Sequence, residues 1–265
     1  MTIVSRITQY GSLVSSSEFN EIGQSKVGIG TTDIVAYEFN ENILEIVTSG
    51  LVMNLDAANS KSYPGSGTTW TDLSGRGNTG TLTLGPTYSS ANGGSIVFDG
   101  VNDYVDCGSV NFTSGTSITV EVWVKPNSSQ NTLADILDYD HAPSGGGFVI
   151  QQDGASLNQY YFAYYNGSSY DITPTITLNS NSFNHLVFVK SGTSTIGYLN
   201  SVNTIQYTGS SIIKCTGLSF SLGRFIQGAG REFNGSISNT KIYDRALTAT
   251  EVLQNYNATN GRFGI

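Results

Sequence analysis

The chain has 265 residues and a formal net charge of −8, with only 12% charged residues, about half of the usual share of roughly 25%. This length suits one large all-β domain, or one domain with an appendage, and it allows a substantial core. An acidic chain without a basic patch argues against nucleic-acid binding, and the sequence has no apolar run of about 18 residues that would insert into a membrane.

Residues 1–50 differ in composition from the rest of the chain. They carry six acidic and two basic residues, which gives −4, half of the total charge. Because this segment has too little apolar material for its own core, we predict that residues 1–50 dock onto the main domain or a partner. Met1 opens a polar stretch without the apolar region of a secretory signal, so we expect no secretion by that route. Residues 51–265 are predicted to form the main domain.

From Leu51 onward, short strand-like runs recur between turn residues. In "SITVEVWVKP", Ile118 and the valines alternate with polar residues and Trp123, which predicts a strand with two distinct faces. The aromatic run "QYYFAYYNGSSYDIT" stops at Asn166-Gly167, a strong hairpin signal. Regularly recurring strands of this kind indicate a sandwich or a barrel.

One segment near the C-terminus, "LTATEVLQNYNAT", has a helical pattern. Thr248 and Glu251 have the spacing of a capping box, in which each side chain satisfies a backbone N–H of the first turn. Leu247, Val252 and Tyr256 are predicted to form the inner face of this helix.

The two cysteines, Cys107 and Cys215, are not arranged as a CxxC motif. They form either one disulfide or two buried thiols, and the missing secretion signal favours the thiols. With only two histidines in the chain, the sequence supports no structural zinc site.

Five stretches occur in an order and spacing that resemble one family. They are "WTDLSGRGNTGTL", "GGSIVFDGVNDYVDCG", "SITVEVWVKP", "FNHLVFVKSGTSTIGYLNSV" and "FNGSISNTKIYDRALTATEVLQNYN". From Gly50 to the C-terminus the chain resembles the laminin G-like, concanavalin A-like lectin/glucanase superfamily. The resemblance implies an all-β jelly-roll sandwich of two antiparallel sheets, with a short C-terminal helix and an N-terminal extension. The stretch "GLVMNLDAANSKSYPGSGTTWTDLSGRGNTGTLT" is also similar to parts of tailed-phage structural proteins.

The sequence contains no recognisable pair of catalytic residues. Glycosidases need two carboxylates that flank the scissile bond, and glucanases of this superfamily usually carry them as Glu-x-Asp-x-(x)-Glu, a motif that is absent here. The one dense acidic cluster, "DILDYDH" from Asp135 to His141, is interpreted as a solvated edge or loop. His185 is interpreted as a packing or hydrogen-bonding residue. We therefore predict no catalytic residues and no enzyme, with a glycosidase or lyase as a remaining alternative.

The corner "TDLSGRGN" allows two interpretations. Laminin G-like domains often bind calcium at the sandwich rim, and Asp72, Asn78 and the carbonyls of a glycine-rich loop would supply suitable oxygens. Alternatively, Asp72 satisfies the loop's own N–H groups in an Asx-turn. The sequence slightly favours the corner without metal, with Trp70 anchoring it by packing.

Sugar recognition would need exposed aromatic faces beside polar groups. In the aromatic run, Tyr161 and Tyr165 lie on the face opposite Tyr160, Phe162 and Tyr164, and one of the two faces must be core. Trp123 is a further candidate for sugar binding, and the alternative is that it packs in the core. The stretch "YDHAPSGGGF" is a candidate loop at the sandwich rim that would contact a sugar. The predicted carbohydrate-binding residues are Trp123, Tyr139, Asp140, His141, Tyr161 and Tyr165.

Together these features predict a non-catalytic virion protein of a phage: a fibre, appendage or decoration protein assembled in the host cytoplasm and exposed on the particle. Residues 1–50 would contact other virion proteins and sister subunits in a homo-oligomer, and the lectin-like domain would hold host-surface glycans. The alternative is a carbohydrate-binding module of a secreted or cell-surface enzyme system, which would place the protein outside the cell.

Overall fold

The computed structural model describes residues 45–110, 112, 115–139, 146–215, 219–225 and 227–265. Val47–Ile265 forms one compact unit. The docking segment predicted for residues 1–50 lies almost wholly outside the described residues, and its role stays a prediction. Within the described part of the chain, no helix has the length and apolar character to cross a bilayer.

The described strands form two antiparallel sheets, which we call the back sheet and the front sheet. The eight-stranded back sheet has the order β15 (Val202–Thr208), β14 (Ser194–Leu199), β13 (Asn184–Ser191), β7 (Ser117–Pro126), β17 (Asn234–Tyr243), β5 (Ser95–Asp99) and β4 (Thr87–Ser89), with β1 (Leu51–Asp56) also beside β17. The nine-stranded front sheet has the order β11 (Tyr170–Ile172), β10 (Gln159–Tyr165), β9 (Phe148–Gln152), β8 (Asp135–Tyr139), β16 (Ser219–Leu222), β6 (Tyr104–Ser109), β3 (Gly80–Thr83) and β2 (Thr69–Trp70), with β12 (Ile176–Thr177) also beside β10. This confirms the predicted all-β sandwich.

The core lies between the two sheets and follows the predicted alternation. Ile118 and the valines of β7 are buried in it from the back sheet, and Tyr160, Phe162 and Tyr164 of β10 from the front sheet. The rings of Phe162 and Phe188 stack across the core with centroids 5.3 Å apart. Because side chains alternate along a strand, burying these residues fixes which residues of β7 and β10 point outward.

A single α-helix among the described residues, α1 (Ala249–Thr259), covers the outer face of the back sheet. Its capping box between Thr248 and Glu251 is present as predicted, and Val252, on the inner face of the helix, is fully buried. Trp123 is fully buried there as well, stacked on Tyr256 at 5.8 Å and on Phe263 at 4.1 Å. β7 is therefore buried on both faces.

A charged network joins α1 to the back sheet. Glu121 Oε1 accepts a hydrogen bond from Lys241 Nζ at 2.8 Å and lies 3.1 Å from His185 Nε2, while Asn255 Nδ2 donates to Glu121 Oε2 at 2.6 Å. All four side chains are buried. Burial raises the pKa of Glu121, but Lys241 and then His185 outweigh it, so that the pKa falls to about 2. His185 thus has the packing role expected from the sequence, with its ring centroid 4.9 Å from that of Trp123.

The two cysteines are buried thiols. Burial raises the pKa of both, that of Cys215 to about 12 and that of Cys107 further. This agrees with the interpretation favoured by the sequence, because deeply buried thiols with raised pKa values are chemically inert.

Candidate functional site: the outer face of the front sheet

The outer face of the front sheet carries a row of polar side chains that runs across three strands. Tyr161 of β10 pairs with Gln151 of β9, which pairs with Asp135 of β8. The Tyr161 hydroxyl donates to Gln151 Oε1, and Gln151 Nε2 donates to Asp135 Oδ1 at 2.6 Å. Tyr161 is half-buried, whereas Gln151 and Asp135 are buried. A hydrogen-bonded chain therefore leads from the surface to a buried carboxyl group.

A β-bulge places two carboxyl groups on this one face. The register of β8 against β9 shifts between Asp135 and Leu137, so Ile136 is an extra residue in the strand. Residues three apart normally point to opposite faces, but the bulge brings Asp135 and Asp138 to the same side. Both are fully buried in a strand that lies between β9 and β16. The interpretation of this cluster as a solvated edge or loop was therefore wrong for both residues.

Two buried polar atoms on this face have no hydrogen-bond partner among the described residues: Asp135 Oδ2 and Arg231 Nη1. Arg231 is held nearby because its carbonyl oxygen accepts from the Asp135 N–H at 2.9 Å, and its guanidinium lies 4.7 Å from the centre of the Phe225 ring. Leaving buried polar atoms unpaired costs free energy. One polar oxygen and one donor nitrogen are thus left unpaired on this face, beneath its surface.

The electrostatics of the row disfavour charge on Asp135. Burial, and then the neighbouring Asp138, raise the pKa of Asp135 well above its ordinary value. Burial and then Asp135 raise the pKa of Tyr161 to about 12, so its hydroxyl stays protonated. The site therefore combines a protonated tyrosine hydroxyl, a carboxyl group whose charge is disfavoured, and the positively charged Arg231 guanidinium.

A second pair of aromatic rings lies further along β10. Tyr165 is half-buried, and its ring centroid is 5.2 Å from that of Tyr170 across the Asn166-Gly167 turn. Four residues of strand separate Tyr161 from Tyr165, or about 13 Å at roughly 3.3 Å per residue. Tyr161 and Tyr165, two of the three tyrosines predicted to bind sugar, thus point outward on one sheet face.

The structure places Trp123 and Tyr139 elsewhere, and both are fully buried. The faces of Trp123 are occupied by rings from the C-terminal segment, and its Nε1 donates to Thr259 Oγ1 at 2.8 Å. Tyr139 points into the core, where its hydroxyl donates to the Val110 carbonyl at 2.9 Å. Neither ring has a surface for a sugar, so neither belongs to this site. The predicted residues Asp140 and His141 lie outside the described residues.

The Asp72 corner forms its own hydrogen bonds. Asp72 Oδ1 accepts from the N–H groups of Asn54 and Ser74 at 2.8 and 2.9 Å, and Oδ2 accepts from Ser74 Oγ and Asn78 N at 2.7 and 2.9 Å. Gly75 and Gly77 allow the turn with φ values of 79° and 81°. Trp70 is fully buried beside it, as expected of an anchor.

This corner also covers the open edge of β1. The Val52 carbonyl accepts from Ser74 Oγ at 2.9 Å and from Asn78 Nδ2 at 2.7 Å, and Leu73 N donates to the Asn54 carbonyl at 2.8 Å. The described residues contain no group of three or more His, Cys, Asp or Glu that would hold a metal ion. These contacts favour the self-bonded corner, and calcium binding by Asp72 and Asn78 stays a prediction.

Comparison with known families identifies the domain. The family model described as the Concanavalin A-like lectin/glucanases superfamily matches residues 99–253. The chain belongs to this superfamily. A comparison with curated proteins gives no match.

Solved structures share the fold at low sequence identity. Domain 4 of AbnA, an extracellular arabinanase of Geobacillus stearothermophilus in complex with arabinotriose, has a TM-score of 0.62 at 19% identity, covering 78% of this chain and 98% of that one. The binding domain of botulinum neurotoxin DC in complex with SialylT has a TM-score of 0.61 at 11% identity, covering 80% of this chain and 52% of that one. The chain thus spans about half of the neurotoxin binding domain.

Proposed function

We propose that the domain is a non-catalytic carbohydrate-binding module and that it binds sugar on the outer face of the front sheet around Tyr161. The observation that carries this proposal is the unpaired Asp135 Oδ2 and Arg231 Nη1 beside a half-buried tyrosine. Binding sites for small molecules typically combine apolar and aromatic surface with a few polar groups that converge on the ligand.

The chemistry of these groups matches a sugar. The Tyr161 ring offers an apolar face to the C–H groups of a pyranose or furanose ring. A ligand hydroxyl both donates and accepts, so it would pair with Asp135 Oδ2 in either protonation state of the carboxyl group, and it would accept from Arg231 Nη1. Binding would require a shift of the side chains that cover these two buried atoms. Pairing both groups would relieve the free-energy cost of their burial, which is a source of affinity.

The structural comparisons support the same class of ligand. One protein of similar fold is described in complex with arabinotriose and another with SialylT. They belong to an extracellular enzyme and to a toxin, which favours a module of a secreted or cell-surface system over a virion protein. A protein with this role would work outside the cell. The phage virion role, its partners and its location remain predictions that no comparison supports.

The absence of catalysis is part of the proposal. Glycosidase carboxylates flank the scissile bond from two sides. Asp135 and Asp138 instead share one strand and one sheet face, and both are fully buried. This arrangement suits recognition of hydroxyl groups better than attack on a glycosidic bond.

A glycan array containing neutral, sialylated and plant cell-wall oligosaccharides, arabinotriose among them, tests the proposal. Wild type should bind at least one glycan, and Tyr161→Ala should weaken that binding by about tenfold, the equivalent of about 1.4 kcal/mol. The matched control is Tyr88→Ala, which removes a half-buried tyrosine of the back sheet and should leave binding unchanged. Absence of any binder, or equal binding by Tyr161→Ala, contradicts the proposal.

A further inference from the structure

The edge strands of the two sheets differ in length and in whether another segment covers them. β4, β11 and β2 are edge strands of only two or three residues, and the edge of the longer β1 is covered by the Asp72 corner. Proteins commonly protect their sheet edges by such means, because an open edge pairs readily with another chain. β15, which ends the back sheet, has seven residues.

The backbone of β15 is open on the side away from β14. Gly209 N donates to the Thr193 carbonyl at 2.9 Å, and successive residues of an antiparallel strand point their N–H and C=O groups to alternate sides. The N–H and C=O groups of Gln206 and Thr208 therefore point away from β14. Among the described residues, no group forms a hydrogen bond with them on that side.

The sequence of β15 lacks charge and proline, two of the usual protections against pairing. The strand has a β-bulge at Thr204, and residues 205–208 pair with β14 in regular register. "VNTIQYT" contains no charged residue and no proline, the residues that commonly blunt an edge strand. Ile205 packs against the core, so the strand is anchored. Val202, at one end of the strand, is 66% exposed. An exposed apolar side chain therefore borders one end of the open edge.

We propose that β15 pairs antiparallel with β15 of a second copy of this chain, which joins two back sheets across a two-fold axis. A two-fold contact brings the same strand against itself. In a chain with a net charge of −8, an uncharged strand is a surface on which two copies meet without like charges opposite one another. The exposed Val202 of each copy adds apolar contact beyond the ladder.

Light scattering on the full chain, coupled to size-exclusion chromatography, tests this pairing. Wild type should have twice the mass of one chain. Gln206→Pro removes an outward N–H without removing a hydrogen bond to β14, and proline is tolerated on edge strands, so this variant should be a monomer. Gln206→Ala keeps the N–H and should remain a dimer.

A second variant tests the same pairing if Gln206→Pro fails to fold. Gln206→Lys combined with Thr208→Lys changes two exposed side chains and places four positive charges at the paired edges, which should also give a monomer with a melting temperature near that of wild type. A monomeric wild type overturns the proposal. So does an oligomer that both the proline and the lysine variants retain, since its contacts would then lie elsewhere in the chain.

Discussion

Replacing Glu121 with glutamine should remove a large part of the domain's stability. The Glu121 carboxylate is fully buried and receives Lys241 Nζ at 2.8 Å and Asn255 Nδ2 at 2.6 Å. Glutamine leaves Lys241 buried without a counter-charge. It also turns one of the two acceptor oxygens into a donor that faces other donors.

The loss of the buried ion pair sets the size of this effect. Removing one partner of a buried ion pair costs about 3–5 kcal/mol. Against the effect of burial, Lys241 and then His185 lower the pKa of Glu121 from 4.5 to about 2, so the charged carboxylate stabilises the folded state. Because the folded pKa is the lower one, this contribution is present above pH 4.5 and is lost as the pH falls toward 2. A typical domain has only about 5–15 kcal/mol in total.

Urea unfolding at pH 7, followed by tryptophan fluorescence, measures the loss. With a slope of about 1–3 kcal/mol per molar urea, the midpoint of Glu121→Gln should fall by about 1 M or more. Combining Glu121→Gln with Lys241→Met removes both charges and should restore most of the lost stability. An unchanged midpoint in the single variant, or a double variant that is no more stable than the single one, would refute the reasoning.

Three further predictions concern Asp135, His185 and Asp72. The pKa of Asp135 is raised in the folded state, so its charged form opposes folding as the pH rises above 3.8. Asp135→Asn should therefore raise the free energy of unfolding at pH 7 by about 1–2 kcal/mol, and it should weaken sugar binding. Burial lowers the pKa of His185 below 6.5, so the stability of the domain should decline as the pH falls from 6.5 toward the pKa of the folded state. His185→Gln should make the melting temperature depend less on pH between pH 7 and 5. Asp72→Ala should cost at least about 2 kcal/mol and promote aggregation through the uncovered edge of β1. Wild-type melting temperatures with calcium and with a chelator test the calcium prediction: a rise with calcium would establish the metal site, and no change would support the self-bonded corner.

Local patterns predicted much of this fold. The alternation in β7 assigned its core face, and the alternation in β10 directed Tyr161 and Tyr165 outward. The capping box of α1 was also predicted correctly. These features depend on residues that lie only a few positions apart, so their physical causes are visible in a short stretch of sequence.

The remaining parts of the site depend on contacts between distant segments. A bulge turns Asp135 to the outer face, and Arg231 reaches it from another part of the chain. Trp123 was assigned to the face opposite the valines correctly, but α1 buries that face as well. Sequence periodicity reports which side a residue faces and not what covers that side. The "DILDYDH" cluster was the one available signal for Asp135.

The structure of a complex with the best-binding oligosaccharide from the array tests the central claim most directly. We predict that the sugar ring lies against Tyr161, with hydroxyl groups within hydrogen-bonding distance of Asp135 Oδ2 and Arg231 Nη1, on the outer face of the front sheet. A sugar bound instead in the cleft of about 290 Å³ beside Asn78 and Asp244, with Asp135 and Arg231 still unpaired, would contradict it.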